Sequence, residues 1–503
     1  MTPTHKPVEH AAMRIFALFS LLCMLFLAPA ARAEEADISG WWRADITQGD
    51  ETERFYFHFI PDEKGGPRMR FSIPVARMSE VRGGAYAVEG DHVRLLAFGL
   101  DFTLDASRQS MSGVFPPTFV SGLEVPVQFV RSEAPPELPD LPTALGPAPS
   151  PAWSVSLGAE VWAGLVRDGA RTVFVADDAG RVTALAQRDG AQRWQVDLGA
   201  PIRATPALFE GRLYVASDAA LVALDARNGR QIWSSPFGPE RAPRLPITHE
   251  NSKWDHYSSG AAVDDDMAVV GSRDGCVYAF ATRTGAQLWR TCTEDLVTST
   301  PALTQEAVFF GGYDHFAYAL SRADGRQLWR RDTHDAIPRD VAIAGDNVLF
   351  GSRSYSLLAL NARTGEPAWT RHVWYSWIDS PAVVADGRIY TGTSDAAAVF
   401  AYDAASGAPV WKTPVPGWTW GGVALSEHAL FTGIAGASYS TPRAGGLAAL
   451  RRSDGVLRWM LPSAAAADPA QISGFAAQPV VSGARVFAAD LTGQVYAFDD
   501  PGS

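Results

Sequence analysis

Lysine and cysteine are scarce in this chain. Only four of its 503 residues are lysines and only three are cysteines, and the formal net charge is −12. Proteins that bind nucleic acids neutralise phosphates with clustered basic side chains. An acidic surface without a basic stripe therefore argues against a nucleic-acid partner.

Several motifs that carry well-known chemistry are also absent. The sequence has no HExxH, GxSxG, Walker A or CxxCH motif, and its ten histidines are scattered singly. Three consecutive acids at 264–266 fall in a predicted hairpin turn, where a solvated turn is a better interpretation than a metal site. We therefore expect no metal centre.

One long apolar run is present, at residues 15–27, with basic residues before it and the small-residue site 31–33 after it. This pattern is typical of a secretory signal peptide and too short for a stable membrane span. Removal of residues 1–33 leaves 40 basic and 54 acidic residues, a net charge of −14. Lipid attachment at Cys23 needs a small residue before it, and Leu22 is not small. We predict a periplasmic product that is not a lipoprotein and has no membrane span.

A repeat occurs seven times between Arg181 and Trp459. Each unit has an apolar stretch, which ends in Ala-Leu or Ala-Phe in six of the seven units, a polar turn closing on Gly, and a Trp four residues later. Spacings of 39, 56, 40, 40, 42 and 48 residues between the glycines suit one four-stranded propeller blade per unit. The repeated pairs are Gly190 and Trp194, Gly229 and Trp233, Gly285 and Trp289, Gly325 and Trp329, Gly365 and Trp369, Gly407 and Trp411, and Gly455 and Trp459.

The physical chemistry of one unit supports a packing role for the repeat. In residues 271–289, a strand with aromatic and β-branched residues leads into Thr-Arg-Thr-Gly, where Gly suits a turn that needs positive φ. A large ring at the same place in every unit fills the space between neighbouring blades. We therefore interpret the tryptophans as structural rather than catalytic.

The two ends of the repeat region complement each other. The last strand, 495–498, has no Trp after it, whereas residues 152–158 match the strand that follows the turn in other units. Trp153 would complete the blade that the C-terminus begins, which removes an open sheet edge. The sequence thus predicts an eight-bladed all-β propeller over residues 152–503.

A region without the repeat precedes the propeller. Residues 34–133 contain short alternating strands separated by glycine-containing turns. We predict a small antiparallel barrel or sandwich, either a ligand-binding barrel or a docking module. Residues 134–151 are rich in proline and are predicted to form a semi-rigid linker.

Two cysteines remain after removal of the signal peptide. Cys276 and Cys292 lie at equal distances from Thr284 in a predicted hairpin turn, so antiparallel pairing places them opposite each other. In an oxidising compartment we predict a disulfide that stabilises the fold by roughly 3 kcal/mol. Two free buried thiols are the alternative.

The repeat units resemble the quinoprotein-type β-propeller repeat over residues 152–500. That repeat occurs in pyrroloquinoline quinone dehydrogenases and in non-enzymatic bacterial propellers such as the propeller subunit of the outer-membrane β-barrel assembly machinery. The Trp-Gly-Gly at 420–422 is similar to the segment beneath the quinone in the dehydrogenases. Because the same blades serve enzymes and scaffolds, the resemblance implies a fold more strongly than a function.

Candidate site residues follow from aligning the predicted inner strands on 378–383. This alignment places Arg339, Asp379 and Trp420 at equivalent inward positions, with Ser258 and Ser299 in the same layer. Such a group could hold a planar anionic cofactor, with Asp379 as general base and Arg339 as its electrophilic partner. The alternative is that Arg339 and Asp379 only tie neighbouring strands together. The other predicted lining residues are Arg203, Trp254, His256, Tyr257, Asp340, Trp377 and Trp418.

Two functions from different classes follow. The preferred hypothesis is a non-catalytic, monomeric scaffold in the cell envelope that binds proteins through loops 234–257, 435–445 and 461–475 on one mouth of the channel. The alternative is an oxidoreductase or a sensor that uses pyrroloquinoline quinone and calcium. A narrow filled channel favours the scaffold, and converging carboxylate ligands favour the enzyme.

Overall fold

Two all-β units follow one another in the computed structural model, which describes residues 36–48, 51–64, 66–115, 124–138, 140–240, 255–373, 375–436, 445–463 and 471–500. The first is a closed antiparallel barrel of eight strands, and the second is a ring of eight four-stranded sheets. Within these residues, no helix has the length and apolar character that a membrane crossing requires. The predicted signal peptide lies outside the described residues.

The barrel is built from consecutive antiparallel strands and closes by pairing its first strand with its last, as Trp42 opposite Arg131 shows. A short 3-10 turn, Pro74–Ala76, separates the third and fourth strands. The strands are β1 (Gly40–Gln48), β2 (Glu51–Glu63), β3 (Gly66–Ile73), β4 (Met78–Glu89), β5 (His92–Leu95), β6 (Leu100–Leu104), β7 (Ser110–Phe115) and β8 (Val125–Ser132).

Aromatic side chains fill the inside of the barrel. The Phe57 and Phe129 rings stack with centroids 4.3 Å apart, and Phe102 meets both edge-on. Strand β6 shows why, because its residues alternate between buried and exposed and send Phe102 inward. The predicted barrel or sandwich is thus a barrel with aromatic side chains packed in its interior.

Each blade of the propeller is a meander of an inner strand, two middle strands and an outer strand. The first four blades are blade 1 with β10 (Val166–Asp168), β11 (Thr172–Ala176), β12 (Arg181–Ala186) and β13 (Gln192–Asp197); blade 2 with β14 (Ala207–Phe209), β15 (Arg212–Ala216), β16 (Ala220–Asp225) and β17 (Gln231–Pro236); blade 3 with β18 (Ala261–Val263), β19 (Met267–Gly271), β20 (Cys276–Ala281) and β21 (Gln287–Cys292); and blade 4 with β22 (Ala302–Leu303), β23 (Ala307–Gly311), β24 (Phe316–Ser321) and β25 (Gln327–Asp332).

The remaining blades keep the same strand order, and the eighth takes its outer strand, β9 (Pro151–Ser156), from the start of the propeller region. They are blade 5 with β26 (Ala342–Ala344), β27 (Asn347–Ser352), β28 (Ser356–Asn361) and β29 (Pro367–His372); blade 6 with β30 (Val383–Ala385), β31 (Arg388–Thr391), β32 (Ala398–Asp403) and β33 (Pro409–Pro414); blade 7 with β34 (Val423–Leu425), β35 (Ala429–Ile434), β36 (Gly446–Arg451) and β37 (Leu457–Pro462); and blade 8 with β38 (Val480–Ser482), β39 (Arg485–Ala489) and β40 (Gln494–Asp499).

The ring closes as the sequence predicts. Strand β40 pairs with β9 in antiparallel register, with Ala497 opposite Trp153. The predicted count of eight blades is therefore confirmed, and the two ends of the propeller share one sheet.

The Gly-Trp repeat joins neighbouring blades. Gly365 of blade 5 has φ +73°, and a Cβ added there would come within 2.7 Å of the Trp329 ring of blade 4. The Trp329 indole N–H also donates to the Ala362 carbonyl of the same turn at 2.9 Å. Gly and Trp are thus two halves of one contact, which confirms the packing role of the ring. The same contact joins Gly190 to Trp153, Gly229 to Trp194, Gly285 to Trp233, Gly325 to Trp289, Gly407 to Trp369 and Gly455 to Trp411.

The predicted disulfide is also confirmed. Cys276 and Cys292 face each other across β20 and β21 and are covalently joined. The bond links the outer two strands of blade 3.

The barrel contacts the propeller through Tyr375, which lies between β29 and β30. Its ring is 5.2 Å from Phe55 and 6.2 Å from Phe71, so it packs against one end of the barrel core. The segment between the units lies along the outer strand of blade 7, where the Leu145 amide donates to the Leu457 carbonyl at 3.1 Å. The linker is thus held to the propeller at this point.

Candidate functional site

One face of the propeller carries the predicted site. In a four-stranded meander, the turn between the two middle strands and the connection to the next inner strand emerge at the same end of the blade. All the candidate side chains lie in these two kinds of segment or at the start of the inner strand that follows. We call the turn between the two middle strands of a blade its middle turn. The middle turns of blades 1 to 5 each place one side chain at an equivalent position, and these side chains are Asp178, Asp218, Arg273, Tyr313 and Arg353.

Arg353 is the centre of a buried charge cluster. Its Nη2 and Nε donate to Asp379 Oδ2 at 2.9 and 3.1 Å, and its Nη1 donates to Asp255 Oδ1 at 2.7 Å. Arg353 and Asp379 are only 6% and 4% exposed. Burial acts to lower the pKa of Arg353, but Asp379, Tyr313 and Asp255 outweigh it and hold that pKa well above its usual value. The guanidinium therefore stays charged and compensates two carboxylates.

Aromatic rings enclose this cluster. The Arg353 guanidinium carbon lies 4.3 Å from the Trp377 ring centroid and 5.5 Å from that of Tyr313. The Tyr313 hydroxyl donates to Asp255 at 2.8 Å. Burial raises the pKa of Asp379, whereas Arg353 and Arg339 act to lower it. The carboxylate is thus held by the protein itself rather than presented to an open channel.

Arg339 lies near Asp379 but is not the arginine that hydrogen-bonds to it. The hydrogen-bonded arginine on Asp379 is Arg353, and the guanidinium of Arg339 stacks 3.5 Å from the centroid of the Tyr257 ring. Its Nε is buried without a hydrogen-bond partner. Tyr257 in turn donates its hydroxyl to the Ala476 carbonyl at 2.9 Å. This bond joins the entry to blade 3 with the entry to blade 8 across the mouth of the channel.

Two tryptophans occupy another part of the mouth. Trp418 and Trp420 stack with ring centroids 4.2 Å apart and planes inclined by 13°. Each is 2% exposed. They share one apolar cluster with Trp162 and Tyr257, which closes the mouth over blades 1, 3, 7 and 8. The Trp418 indole N–H also donates to Asp395 at 3.3 Å.

Three further predicted residues, Arg203, Ser258 and His256, form a second polar group. Arg203 donates to Asp178 at 2.7 Å and to Asp218 at 2.9 Å. Ser258 donates to Asp218 at 2.9 Å, and His256 lies 3.2 Å from Asp178. The structure therefore brings Arg203 and His256 together around Asp178, whereas Arg353 binds Asp379 and Asp255.

Two other predicted residues, Ser299 and Trp254, do not contribute to the site that the structure describes. Ser299 donates to the Gly311 carbonyl at 2.7 Å and is fully buried, which is a structural role within blade 4. Trp254 falls outside the described residues, as do the central parts of the three predicted binding loops at 241–254, 437–444 and 464–470.

Sequence reasoning missed Arg353, Asp255, Tyr313 and Asp395. A signal for two of them was present, because Arg273, Tyr313 and Arg353 are spaced by 40 residues, the length of one blade. Alignment of the inner strands alone did not include the middle turns, where these side chains lie.

Comparisons with known proteins agree with this fold. Residues 143–254, 221–376 and 317–502 match the family model described as outer membrane protein assembly factor BamB. The 1-butanol dehydrogenase (cytochrome c) of Thauera butanivorans is 37% identical over 123 residues, which are 22% of this chain and 17% of that protein. The quinoprotein ethanol dehydrogenase of Pseudomonas putida is 29% identical over 164 residues, 28% of this chain and 25% of that protein.

Solved structures show the same architecture. The quinohemoprotein alcohol dehydrogenase of Comamonas testosteroni superposes with a TM-score of 0.54 at 14% identity, covering 70% of this chain and 77% of that chain. The matched segments span at most a quarter of the two curated dehydrogenases. The likeness therefore shows a shared quinoprotein-type propeller.

Proposed function

The chain belongs to the family whose model is described as outer membrane protein assembly factor BamB, and from this premise we propose that it is a periplasmic, non-catalytic scaffold that binds proteins in the cell envelope. The observation that carries the proposal is the filled mouth of its channel. Trp162, Tyr257, Trp418 and Trp420 form one buried cluster where a cofactor would enter.

The site does not fit a quinone stacked on Trp420. One face of that ring is covered by Trp418 at 4.2 Å, and the ring is 2% exposed. The carboxylate of Asp379 is bound by Arg353 on both oxygens, so it is engaged before any substrate arrives. Pyrroloquinoline quinone and calcium therefore have no role in the function that we propose.

The rigid mouth suits a scaffold instead. Buried ion pairs and stacked rings fix the bases of the loops that leave this face, and fixed loop bases lower the entropy cost of binding. We propose that the partners are envelope proteins that contact loops 234–257, 435–445 and 461–475. The packed barrel extends this surface, because Tyr375 holds it against the propeller.

Site-specific photo-crosslinking tests the proposed binding face. Pro239 is exposed and lies at the start of the first loop, so a benzoylphenylalanine at this position should give discrete crosslinked species in intact envelopes. Asp346 is exposed in the turn between β26 and β27, on the opposite face of the ring, and is the matched control position. Equal crosslinking from both positions would contradict a specific binding face.

A cofactor titration separates the scaffold from the oxidoreductase. We expect the purified protein to show no stoichiometric binding of pyrroloquinoline quinone in the presence of calcium, by calorimetry and absorbance. Stoichiometric binding together with dye-linked alcohol oxidation would overturn the scaffold proposal.

A further inference from the structure

Three side chains that bind metals in other proteins meet at one edge of the channel mouth. Glu160 precedes blade 1, Asp178 lies in the middle turn of blade 1, and His256 precedes blade 3. Their ligand atoms all lie within 4.8 Å of one another. The three residues are far apart in sequence, so the fold rather than local chain geometry brings them together.

The two carboxylates are already held in position. The Trp162 indole N–H donates to Glu160 Oε2 at 2.7 Å, and Arg203 Nε donates to Asp178 Oδ1 at 2.7 Å. Ligands of bound metals are commonly oriented by hydrogen bonds of this kind from a surrounding layer of residues. The Trp162 ring also lies 4.7 Å from the His256 ring and limits the freedom of the imidazole.

The imidazole nitrogen that faces the carboxylates lacks a well-formed hydrogen bond. His256 Nε2 is buried 3.2 Å from Asp178 Oδ2, but the two atoms are not aligned as a regular hydrogen bond. A buried nitrogen whose hydrogen bond is poorly formed is costly. A cation between the imidazole and the carboxylate would satisfy both atoms.

The local charge favours a cation as well. Arg203 pairs with both Asp178 and Asp218, and Glu160 adds a further carboxylate next to Asp178. The site therefore carries an excess of negative charge, which a bound cation would offset.

We propose that Glu160, Asp178 and His256 bind one divalent first-row transition metal ion. Calcium prefers six to eight oxygen ligands, whereas an imidazole with two carboxylates suits zinc and similar ions. Such an ion would link the segment that leads into blade 1 to the segment that leads into blade 3. It would therefore stabilise the propeller next to blade 8, where the two ends of the propeller pair. This site is independent of the proposed scaffold function.

Calorimetric titration of the chelator-treated full protein tests the site. With Zn²⁺ as the probe, we expect one ion per chain and tighter binding than Ca²⁺ shows, and Zn²⁺ should raise the melting temperature. His256→Ala should weaken Zn²⁺ binding at least about tenfold and remove the thermal shift. The matched control is His334→Ala. His334 lies on the same face, 3.6 Å from Asp332, but among the described residues it does not belong to a group of three possible metal ligands.

A second variant separates a loss of Zn²⁺ binding from a loss of folding. Glu160→Gln keeps an oxygen for the Trp162 hydrogen bond and removes only the charge, so it should also weaken Zn²⁺ binding while the circular dichroism spectrum stays unchanged. The proposal is wrong if the wild-type protein binds no stoichiometric Zn²⁺, if Ca²⁺ binds more tightly, or if both His256→Ala and Glu160→Gln bind Zn²⁺ as the wild type does.

Discussion

Asp395 shows how the filled mouth changes the chemistry of a single residue. It lies in the middle turn of blade 6, where it accepts a hydrogen bond from Trp418. Burial raises the pKa of this carboxyl to about 7, Trp418 acts in the opposite direction, and the nearby Asp379 adds to the rise. An aspartate in an unfolded chain titrates near 3.9. The stabilising contribution of this group is therefore complete below about pH 4 and is lost as the pH rises through 7.

This linkage predicts the effect of Asp395→Asn. The asparagine keeps an oxygen for Trp418 but cannot ionise, so the variant should lack this part of the pH dependence. The quantity to compare is the free energy of unfolding of Asp395→Asn minus that of the wild type. We expect this difference to be larger at pH 8 than at pH 5 by roughly 1–3 kcal/mol. Urea unfolding at both pH values measures the difference, and the exposed Asp346→Asn is the control. Parallel pH curves for wild type and Asp395→Asn would contradict the prediction.

The individual site residues were only partly predictable. Position and residue type were enough to select Asp379, Tyr257 and Trp420 as residues of the mouth, because the inner strands repeat at a constant spacing. The partner of Asp379 was not predictable in the same way. Arg339 and Arg353 both lie near the carboxylate, and side-chain direction in the turn, which the repeat does not encode, decides that Arg353 binds it.

At the scale of the element, the hairpin turn of each blade is where neighbouring blades meet. The turn that ends in Gly365 lies against Trp329, and Gly365 has φ +73°. A residue with a Cβ is disfavoured there for two reasons, the left-handed backbone and the ring beside it. Gly345, in another turn of the same blade, has φ +60° and no atom within 4 Å of the place where a Cβ would lie. Gly345 therefore shows the backbone cost alone.

A pair of alanine substitutions separates these two costs. Gly345→Ala should destabilise the protein by about 1 kcal/mol through the backbone. Gly365→Ala should cost about 1–3 kcal/mol more, because the added methyl group displaces the Trp329 ring. Chemical unfolding of the two variants gives the difference. Equal losses would mean that the turn glycines are not required for packing between blades.

The elements themselves were well predicted from the sequence. The period of the Gly-Trp pairs gave the number of blades, and the unmatched Trp153 gave the way in which the ring closes. The facing Cys276 and Cys292 are a direct consequence of hairpin register. These features depend on local turns and on spacing, which the chain carries in its sequence. The choice between barrel and sandwich depends on closure between β1 and β8, which are distant in sequence, and it therefore stayed open.

For the whole molecule, the arrangement of the two units is the feature that sequence reasoning left undetermined. The barrel core and the propeller blades each bury their own apolar residues, so neither requires the other for its hydrophobic core. Among the described residues, Tyr375 at the mouth contacts the barrel core, and the linker lies along blade 7. A single aromatic residue in a connection has no sequence signature that distinguishes it from other exposed rings.

Tyr375 provides the last prediction. Its aromatic ring packs on the rings of Phe55 and Phe71 of the barrel. Tyr375→Ala should weaken barrel docking by about 2 kcal/mol or more, whereas Tyr375→Phe keeps the ring and should behave as the wild type does. Small-angle scattering should show a larger maximum dimension for Tyr375→Ala, and protease should cut its linker faster, while the circular dichroism spectrum stays unchanged. If Tyr375→Ala keeps the compact dimension and the slow cleavage of Tyr375→Phe, the linker contacts on blade 7 alone hold the barrel against the propeller.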